Sequence, residues 1–316
     1  MLDLRQSLLR AHRIAMTLFR VMIPVILAIR LLEELGAVRW LSQALEPLMD
    51  LLGLPGASGL VWASTLLINL YGGLVVLAAL WPELSLSVAQ VSVLSSIMLI
   101  AHALPVEARI AQRAGVRIGF TLLLRMGLAF VYGLLLHHVY QWGGWLQQPA
   151  ELLWQAPQTE TGWLPWLKDQ LIGLIMIYVI IQLLILLLEL LQRIGIIDAI
   201  NRSLRPLLHL LGIGREAETL TLVGLTLGLS YGGGLLIEEA EAGHVASKDV
   251  LYALSLLGLS HSLIEDTLLM LLTGADWLAL LPGRVLFTLV VIFLLVRLTR
   301  NWPQRRLRLL VTPVAS

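Results

Sequence analysis

One pattern of residues fills most of this 316-residue chain twice, and equivalent positions lie 159 residues apart over most of its length. The matched pairs are Gly36 with Gly195, Pro47 with Pro206, Gly53 with Gly212, His102 with His261, Glu107 with Asp266, and Arg125 with Arg284. Between Gly53 and His102 one inserted residue changes the spacing to 160. With that spacing, a Tyr-Gly-Gly triplet at 71–73 pairs with the same triplet at 231–233. Because two copies of one unit should fold alike, we assign residues 1–140 to the first copy and 167–316 to the second, which ends in a basic tail.

The composition places both copies in a membrane. Hydrophobic residues make up 58% of the chain and charged residues 14%, with a mean hydropathy of +0.85, which leaves too little polar surface for a soluble globule. A bilayer core about 30 Å thick needs about 20 helical residues to cross it. Apolar runs occur near residues 14–35, 57–80, 86–105, 122–140, 169–192, 217–237, 248–272 and 284–300. The predicted fold class is an all-α integral membrane protein with four apolar segments in each copy.

A more polar helix is predicted between the first and second apolar segments of each copy, at residues 38–52 and 197–211. Leu41, Leu45 and Leu48 recur at helical spacing among polar side chains. A helix with this pattern is too polar to span, so we expect an interfacial amphipathic helix in each copy.

The distribution of Lys and Arg predicts the orientation of the chain. These residues concentrate at both termini and in the regions 105–117 and 193–248, which the positive-inside rule places in the cytoplasm. The first copy then starts inside and ends outside, and the second does the reverse, so the repeats are predicted to be inverted. With four apolar segments and an odd number of crossings, one segment per copy must be a re-entrant broken hairpin. We predict three spanning helices per copy, and an external Trp-rich linker at 141–166.

A second motif recurs around the amphipathic helix. It comprises residues 32–36, Leu45-Glu46-Pro47-Leu48 and Gly53-Leu54-Pro55-Gly56 in the first copy, and residues 190–195, Leu204-Arg205-Pro206-Leu207 and Gly212-Ile213-Gly214 in the second. This pattern resembles the Gate domain, which is shared by nucleoside-recognition membrane proteins, spore maturation proteins, concentrative nucleoside transporters and the permease part of bacterial ferrous-iron transporters. The resemblance implies transport through inverted repeats with re-entrant hairpins.

Two departures limit what the resemblance implies. The chain has no Gly-x-x-x-x-Gly-Lys-Ser/Thr phosphate loop, so the GTPase of the iron transporters is absent. It also has no cysteine, which excludes disulfides and any metal path built on thiols. No residue-level match carries over the nucleoside-binding positions.

Ionisable residues stand inside the third apolar segment of each copy. They are His102 with Glu107, and His261 with Glu265 and Asp266. Such residues are costly in a membrane and predict a functional site. Imidazole with carboxylate suits a divalent ion such as zinc, iron or manganese, and equally suits a proton relay. We expect His261 and Glu265, four residues apart, to share a helix face. The alternative is that each His bonds across the bundle and each acid caps a helix or pairs with Arg.

The Tyr-Gly-Gly triplets predict unwound backbone that coordinates a substrate or ion. The candidate residues are Asn69, Tyr71, Gly72 and Gly73 in the first copy and Ser230, Tyr231, Gly232 and Gly233 in the second. The alternative is that the glycines only let helices pack closely.

Arg125 and Arg284 begin the last helix of each copy. One role is ion pairing with Glu107 and Asp266. The other is snorkelling of the long side chain to the interface.

We therefore expect an inner-membrane secondary transporter or permease of a small solute or ion, bound between the two repeats, with both termini cytoplasmic. The alternative is a non-transporting scaffold or partner subunit of the same fold. An enzyme is not expected, because no nucleophile and base recur at catalytic spacing. No cofactor is expected beyond a coupling proton, Na⁺ or divalent cation. The expected partners are the lipid bilayer and the solute, not nucleic acid, and a homo-oligomer is left open.

Overall fold

A computed structural model describes residues 4–153, 162–228, 237–240, 242 and 245–312. Ser230, Tyr231, Gly232 and Gly233, on which the second Tyr-Gly-Gly prediction falls, lie outside the described residues.

The described residues form helices joined by short turns. In the first half these are α1 (Leu4–Glu34), α2 (Ala37–Asp50), α3 (Ser58–Leu67), α4 (Leu70–Leu84), α5 (Val88–Ile100), α6 (Leu104–Arg113) and α7 (Ile118–Gly143). In the second half they are α8 (Trp163–Arg193), α9 (Ile196–Leu210), α10 (Arg215–Leu227), α11 (Ser247–Ser260), α12 (Glu265–Leu271), a π-helical turn (Ala279–Gly283), α13 (Arg284–Thr299) and α14 (Gln304–Leu307).

Helix lengths and turns recur between the halves. The two helices α1 and α8 each have 31 residues and begin at positions 159 residues apart. Gly36 and Gly195, which end these helices, have φ of 69° and 79°. Gly53 and Gly212, which follow α2 and α9, have φ of 67° and 73°. Only glycine adopts these left-handed angles without a steric cost, which explains why the same residue stands at each equivalent turn.

Among the described residues, six helical stretches are long and apolar enough to cross a membrane, as predicted: α1, α5 with α6, α7, α8, α11 with α12, and the π-helical turn with α13. In the most apolar 18-residue window of the α5–α6 and α11–α12 stretches, 78% and 72% of the residues are buried. In the other four stretches the buried share of that window is 22% to 28%. These two stretches therefore form the centre of the bundle. The apolar helices α3 and α4, with 10 and 15 residues, are too short to cross alone.

The equivalent helices α1 and α8 pack against each other in antiparallel orientation. Ser7, near the start of α1, donates a hydrogen bond to Glu189 near the end of α8. Farther along, His12 Nδ1 lies 3.1 Å from the Tyr178 hydroxyl. At the opposite end, the Arg30 guanidinium lies 5.3 Å from the centre of the Trp163 ring. Contacts that join the start of one helix to the end of the other require opposite directions.

The break in the first predicted hairpin lies before the Tyr-Gly-Gly triplet. Helix α3 ends at Leu67 and α4 begins at Leu70, so Gly72 and Gly73 are helical, and the prediction of unwound backbone at these glycines is wrong. The reason is Asn69, whose side chain accepts a hydrogen bond from the Gly72 amide at 2.9 Å and caps α4.

The glycines serve close packing instead. A Cβ atom added at Gly73 would lie 1.8 Å from Thr65 Oγ1 in α3 and 2.9 Å from Met98 Cε in α5. Any side chain at this position would push α4 away from both helices. The packing role, which the sequence left as the alternative, is the one the fold uses for Gly73.

The equivalent turns at Gly53 and Gly212 allow a matched test of packing. Gly53→Ala and Gly212→Ala introduce the same left-handed strain, of roughly 1 kcal/mol. At Gly53 the new methyl would also lie 2.1 Å from His137 Cε1, whereas at Gly212 the nearest atom is Val296 Cγ1 at 3.6 Å. We expect Gly53→Ala to lower the unfolding temperature in detergent clearly more than Gly212→Ala, with the difference removed by adding His137→Ala. Equal decreases in unfolding temperature for the two variants would contradict a destabilising contact between the new methyl and His137.

Candidate functional site

The two central stretches are both interrupted at a histidine. Helix α5 ends at Ile100 and α6 begins at Leu104, with His102 between them; α11 ends at Ser260, directly before His261. The residue after each histidine is left-handed, with φ of 47° at Ala103 and 48° at Ser262. Residues with a side chain seldom adopt this conformation, and such strain concentrates at functional positions. Both halves therefore bend the backbone at the same point beside an imidazole.

The short helices of each half stabilise these breaks. The Ala103 amide donates to the Thr65 carbonyl of α3 at 3.0 Å, and the Leu263 amide donates to the Leu225 carbonyl of α10 at 2.9 Å. In each case a carbonyl near the end of a helix accepts from a backbone amide freed by the break. Backbone groups at membrane depth must find such partners within the protein. The breaks and the ends of the short helices are therefore mutually dependent.

His102 and His261 meet at the centre of the molecule. Their Nε2 atoms are 3.0 Å apart, and the side chains are 5% and 4% exposed. The Nδ1 atoms face backbone carbonyls, at 3.1 Å from Met98 O and 2.7 Å from Leu257 O. A carbonyl oxygen can only accept, so each Nδ1 must carry the hydrogen. If both rings are neutral, two Nε2 lone pairs then face each other, and a positive charge is needed between them.

Glu107 completes the cluster from helix α6. Its Oε1 lies 3.4 Å from His102 Nε2 and 3.3 Å from His261 Nε2. Its Oε2 forms an ion pair with Arg125 of α7, whose Nε also donates to the Ile100 carbonyl at 3.0 Å. Arg125 is fully buried, so the snorkelling alternative is excluded for this residue and the ion-pair prediction is confirmed. The pair orients Glu107 so that one oxygen binds Arg125 and the other faces the imidazoles.

The second half differs at the equivalent positions. Asp266 Oδ2 approaches His102 Nε2 at 3.8 Å. Arg284 is also fully buried, but its Nη2 donates to Thr267 Oγ1 at 3.2 Å, and no ion pair with Asp266 forms. Within the part of the chain that the structure describes, Nε and Nη1 of Arg284 have no hydrogen-bond partner. An aspartate is one methylene shorter than the equivalent glutamate, which accounts for the missing contact.

The other predicted residues that the structure describes do not belong to this cluster. The prediction that His261 and Glu265 share a helix face is wrong, because residues 261–264 separate α11 from α12. Glu265 instead lies 3.5 Å from the Tyr71 hydroxyl of α4. Asn69 caps α4 and Gly73 packs against α3, so neither belongs to the histidine cluster.

Sequence reasoning missed the two breaks at the histidines. Pro105, at the start of α6, was the available signal in the first half, because proline begins helices readily and disrupts their interior. The second half has Ile264 at the equivalent place, so no comparable signal existed there. A cavity of about 770 Å³, lined among others by Gly53, Gln90, His137 and Tyr140, contains none of the predicted site residues.

The arrangement can hold a cation. His102, Glu107 and His261 each offer one atom, and these atoms lie within 4.8 Å of one another. The same atoms could share a proton, since imidazole and carboxylate both exchange protons readily. The chemistry available at this site is therefore binding of a small cation.

The two arginines provide a matched test of the ion pair. Arg125→Met would leave Glu107 buried without its ionic partner, at a cost of about 3–5 kcal/mol. Arg284→Met would remove a guanidinium with one hydrogen bond and two unpaired nitrogens, so the expected cost is small. The unfolding temperature of each purified variant in detergent measures the difference. Equal losses of unfolding temperature would show that the ion pair of Arg125 contributes no more to stability than the single hydrogen bond of Arg284.

Comparisons with known proteins support the membrane class. The chain is 28% identical over 290 residues to the "Uncharacterized membrane protein YvoD" of Bacillus subtilis (strain 168), covering 90% of this chain and 91% of that protein. No protein-family model and no solved structure matches the chain. With its six long apolar helices, the chain is a multi-pass membrane protein similar to YvoD over nearly its whole length.

Proposed function

We propose that the protein is a secondary transporter or permease of a small solute or ion, with its site between the two halves of the chain. One observation carries the proposal: His102, Glu107, Arg125, His261 and Arg284, drawn from both halves, are buried together within apolar stretches long enough to span a membrane. Charged groups at such depth are expensive and are retained where a polar species binds or passes. Broken helices beside such groups are typical of transport sites at mid-membrane.

The packing of α1 against α8 supports inverted repeats. These equivalent helices run antiparallel, which is the relation expected when two copies of one unit cross a membrane in opposite senses. The concentration of Lys and Arg at both termini favours a cytoplasmic location for each. We accordingly propose a bacterial inner-membrane protein with two Gate-like repeats.

The short helices support the re-entrant hairpins. Helices α3 and α4 form one apolar segment that is interrupted at Asn69. Each helix alone is too short to span the membrane. In this proposal they enter and leave the bilayer by one face, and the end of α3 supports the break at His102 through the Thr65 carbonyl.

The test of transport uses purified protein and a panel of divalent metals, nucleosides, amino acids and small anions. We expect at least one class to raise the unfolding temperature by mass action and to be taken up by proteoliposomes. His102→Ala and His261→Ala should abolish that uptake, whereas His138→Ala, on the exposed face of α7, should retain it. If no class is taken up, or if both cluster variants transport as well as the wild type, the proposal fails and a scaffold or partner subunit becomes the better reading.

The inverted arrangement has its own test. Ala44 in α2 and Ser203 in α9 are exposed and lie 159 residues apart in a chain without cysteine. Ala44→Cys and Ser203→Cys should each react with a membrane-impermeant thiol reagent, the first from outside the cell and the second only in inside-out vesicles. Reaction of both from one side would contradict inversion.

A further inference from the structure

We propose that His102, His261 and Glu107 form a three-ligand site for a divalent transition-metal ion, with the fourth tetrahedral position left open, and that this ion is the transported species. The site itself stands on its own geometry. Its role in transport rests on the proposed function.

The separations of the three ligand atoms fit three corners of a tetrahedron. Zinc binds imidazole nitrogen and carboxylate oxygen at about 2.0–2.2 Å, which places neighbouring ligand atoms of a tetrahedron about 3.4 Å apart. The distances here are 3.0 Å between the two Nε2 atoms, and 3.4 Å and 3.3 Å from these to Glu107 Oε1. Displacements well under 1 Å would bring the three atoms to tetrahedral separations, and Asp266 Oδ2, 3.8 Å from His102 Nε2, lies outside this set.

The hydrogen bonds around the cluster prepare it for a metal. Each imidazole directs its Nδ1 hydrogen to a backbone carbonyl, which fixes the tautomer and leaves the Nε2 lone pair free. Glu107 is held by Arg125 through one oxygen and offers the other. Metal-binding histidines and carboxylates are oriented by outer partners of this kind.

A shared proton would use only part of this arrangement. A proton lies on the line between two nitrogens, whereas Glu107 Oε1 is nearly equidistant from both of them. A point that faces two nitrogens and a carboxylate oxygen suits a metal ion better. Two imidazoles also disfavour Na⁺, Mg²⁺ and Ca²⁺, which prefer oxygen ligands, and favour zinc or iron.

The charge of the cluster favours a releasable ion over a permanent one. Arg125 already neutralises Glu107, so the site lacks the excess negative charge that would hold a divalent cation tightly. Conduction requires binding strong enough for entry and weak enough for release. A buried arginine beside the ligands is consistent with a carried ion.

The binding test measures metal directly. Wild-type protein purified without a histidine tag is equilibrated with Co²⁺ or Zn²⁺, and bound metal is counted by mass spectrometry while the visible absorption of Co²⁺ reports tetrahedral geometry. We expect one ion per chain and the tetrahedral spectrum. Both should be lost in His102→Ala and in His261→Ala. Because Glu107→Gln alone leaves Arg125 unpaired, the double variant Glu107→Gln/Arg125→Met tests that ligand in a folded protein.

Matched controls separate this site from adventitious binding. The variants Glu265→Gln and His137→Ala/His138→Ala change an acid and two histidines outside the proposed set and should retain the ion. Wild-type protein that binds no stoichiometric metal would overturn the site, as would undiminished binding by both single-histidine variants in properly folded protein.

A second measurement separates the site from its role. Proteoliposomes loaded with a zinc-sensitive dye should take up Zn²⁺ with the wild-type protein and not with His261→Ala. Stoichiometric binding without uptake would uphold the site and overturn metal transport. Uptake of another solute by a protein that binds no metal would overturn the metal site and leave the proposed transport function intact.

Discussion

The ion pair between Arg125 and Glu107 is the interaction on which the centre of the structure depends. Burying either charge without its partner would cost several kcal/mol, because each ion loses its hydration. Paired, they fix the carboxylate so that one oxygen faces two imidazoles. Arg125 also bonds the Ile100 carbonyl at the end of α5. One buried guanidinium therefore connects the break in the backbone to the geometry of the candidate site.

The breaks themselves follow from what a membrane allows. An interrupted helix exposes backbone amides and carbonyls, which must be satisfied within the protein. The ends of α3 and α10 supply carbonyls to the breaks beside His102 and His261. A short helix that ends inside the bundle has free backbone carbonyls at its last turn. These carbonyls accept hydrogen bonds from the backbone amides of a neighbouring interrupted helix.

The cluster joins residues from equivalent positions of the recurring sequence pattern, and it is asymmetric. His102 and His261, 159 residues apart, meet through the same ring nitrogen at 3.0 Å. The acids have diverged by one methylene, so Glu107 reaches its arginine and Asp266 does not. The unpaired nitrogens of Arg284 are the structural consequence. A small change in side-chain length thereby gives two related halves different electrostatic roles.

The sequence alone determined the membrane class, the six long apolar helices, the amphipathic helices and the recurrence of turns, because these depend on composition, hydrophobic run length and glycine. It also identified His102, Glu107, His261 and Asp266 as candidates, since ionisable residues in apolar runs are conspicuous.

Only the tertiary structure decided how these residues combine. It placed the first hairpin break at Asn69 and the central breaks at the histidines, because helix ends at this depth depend on acceptors supplied by distant segments. It separated Glu265 from His261 and brought Glu107 to both imidazoles instead. Residues far apart in sequence meet only through packing, and local pattern carries no information about which distant partner a buried charge will find.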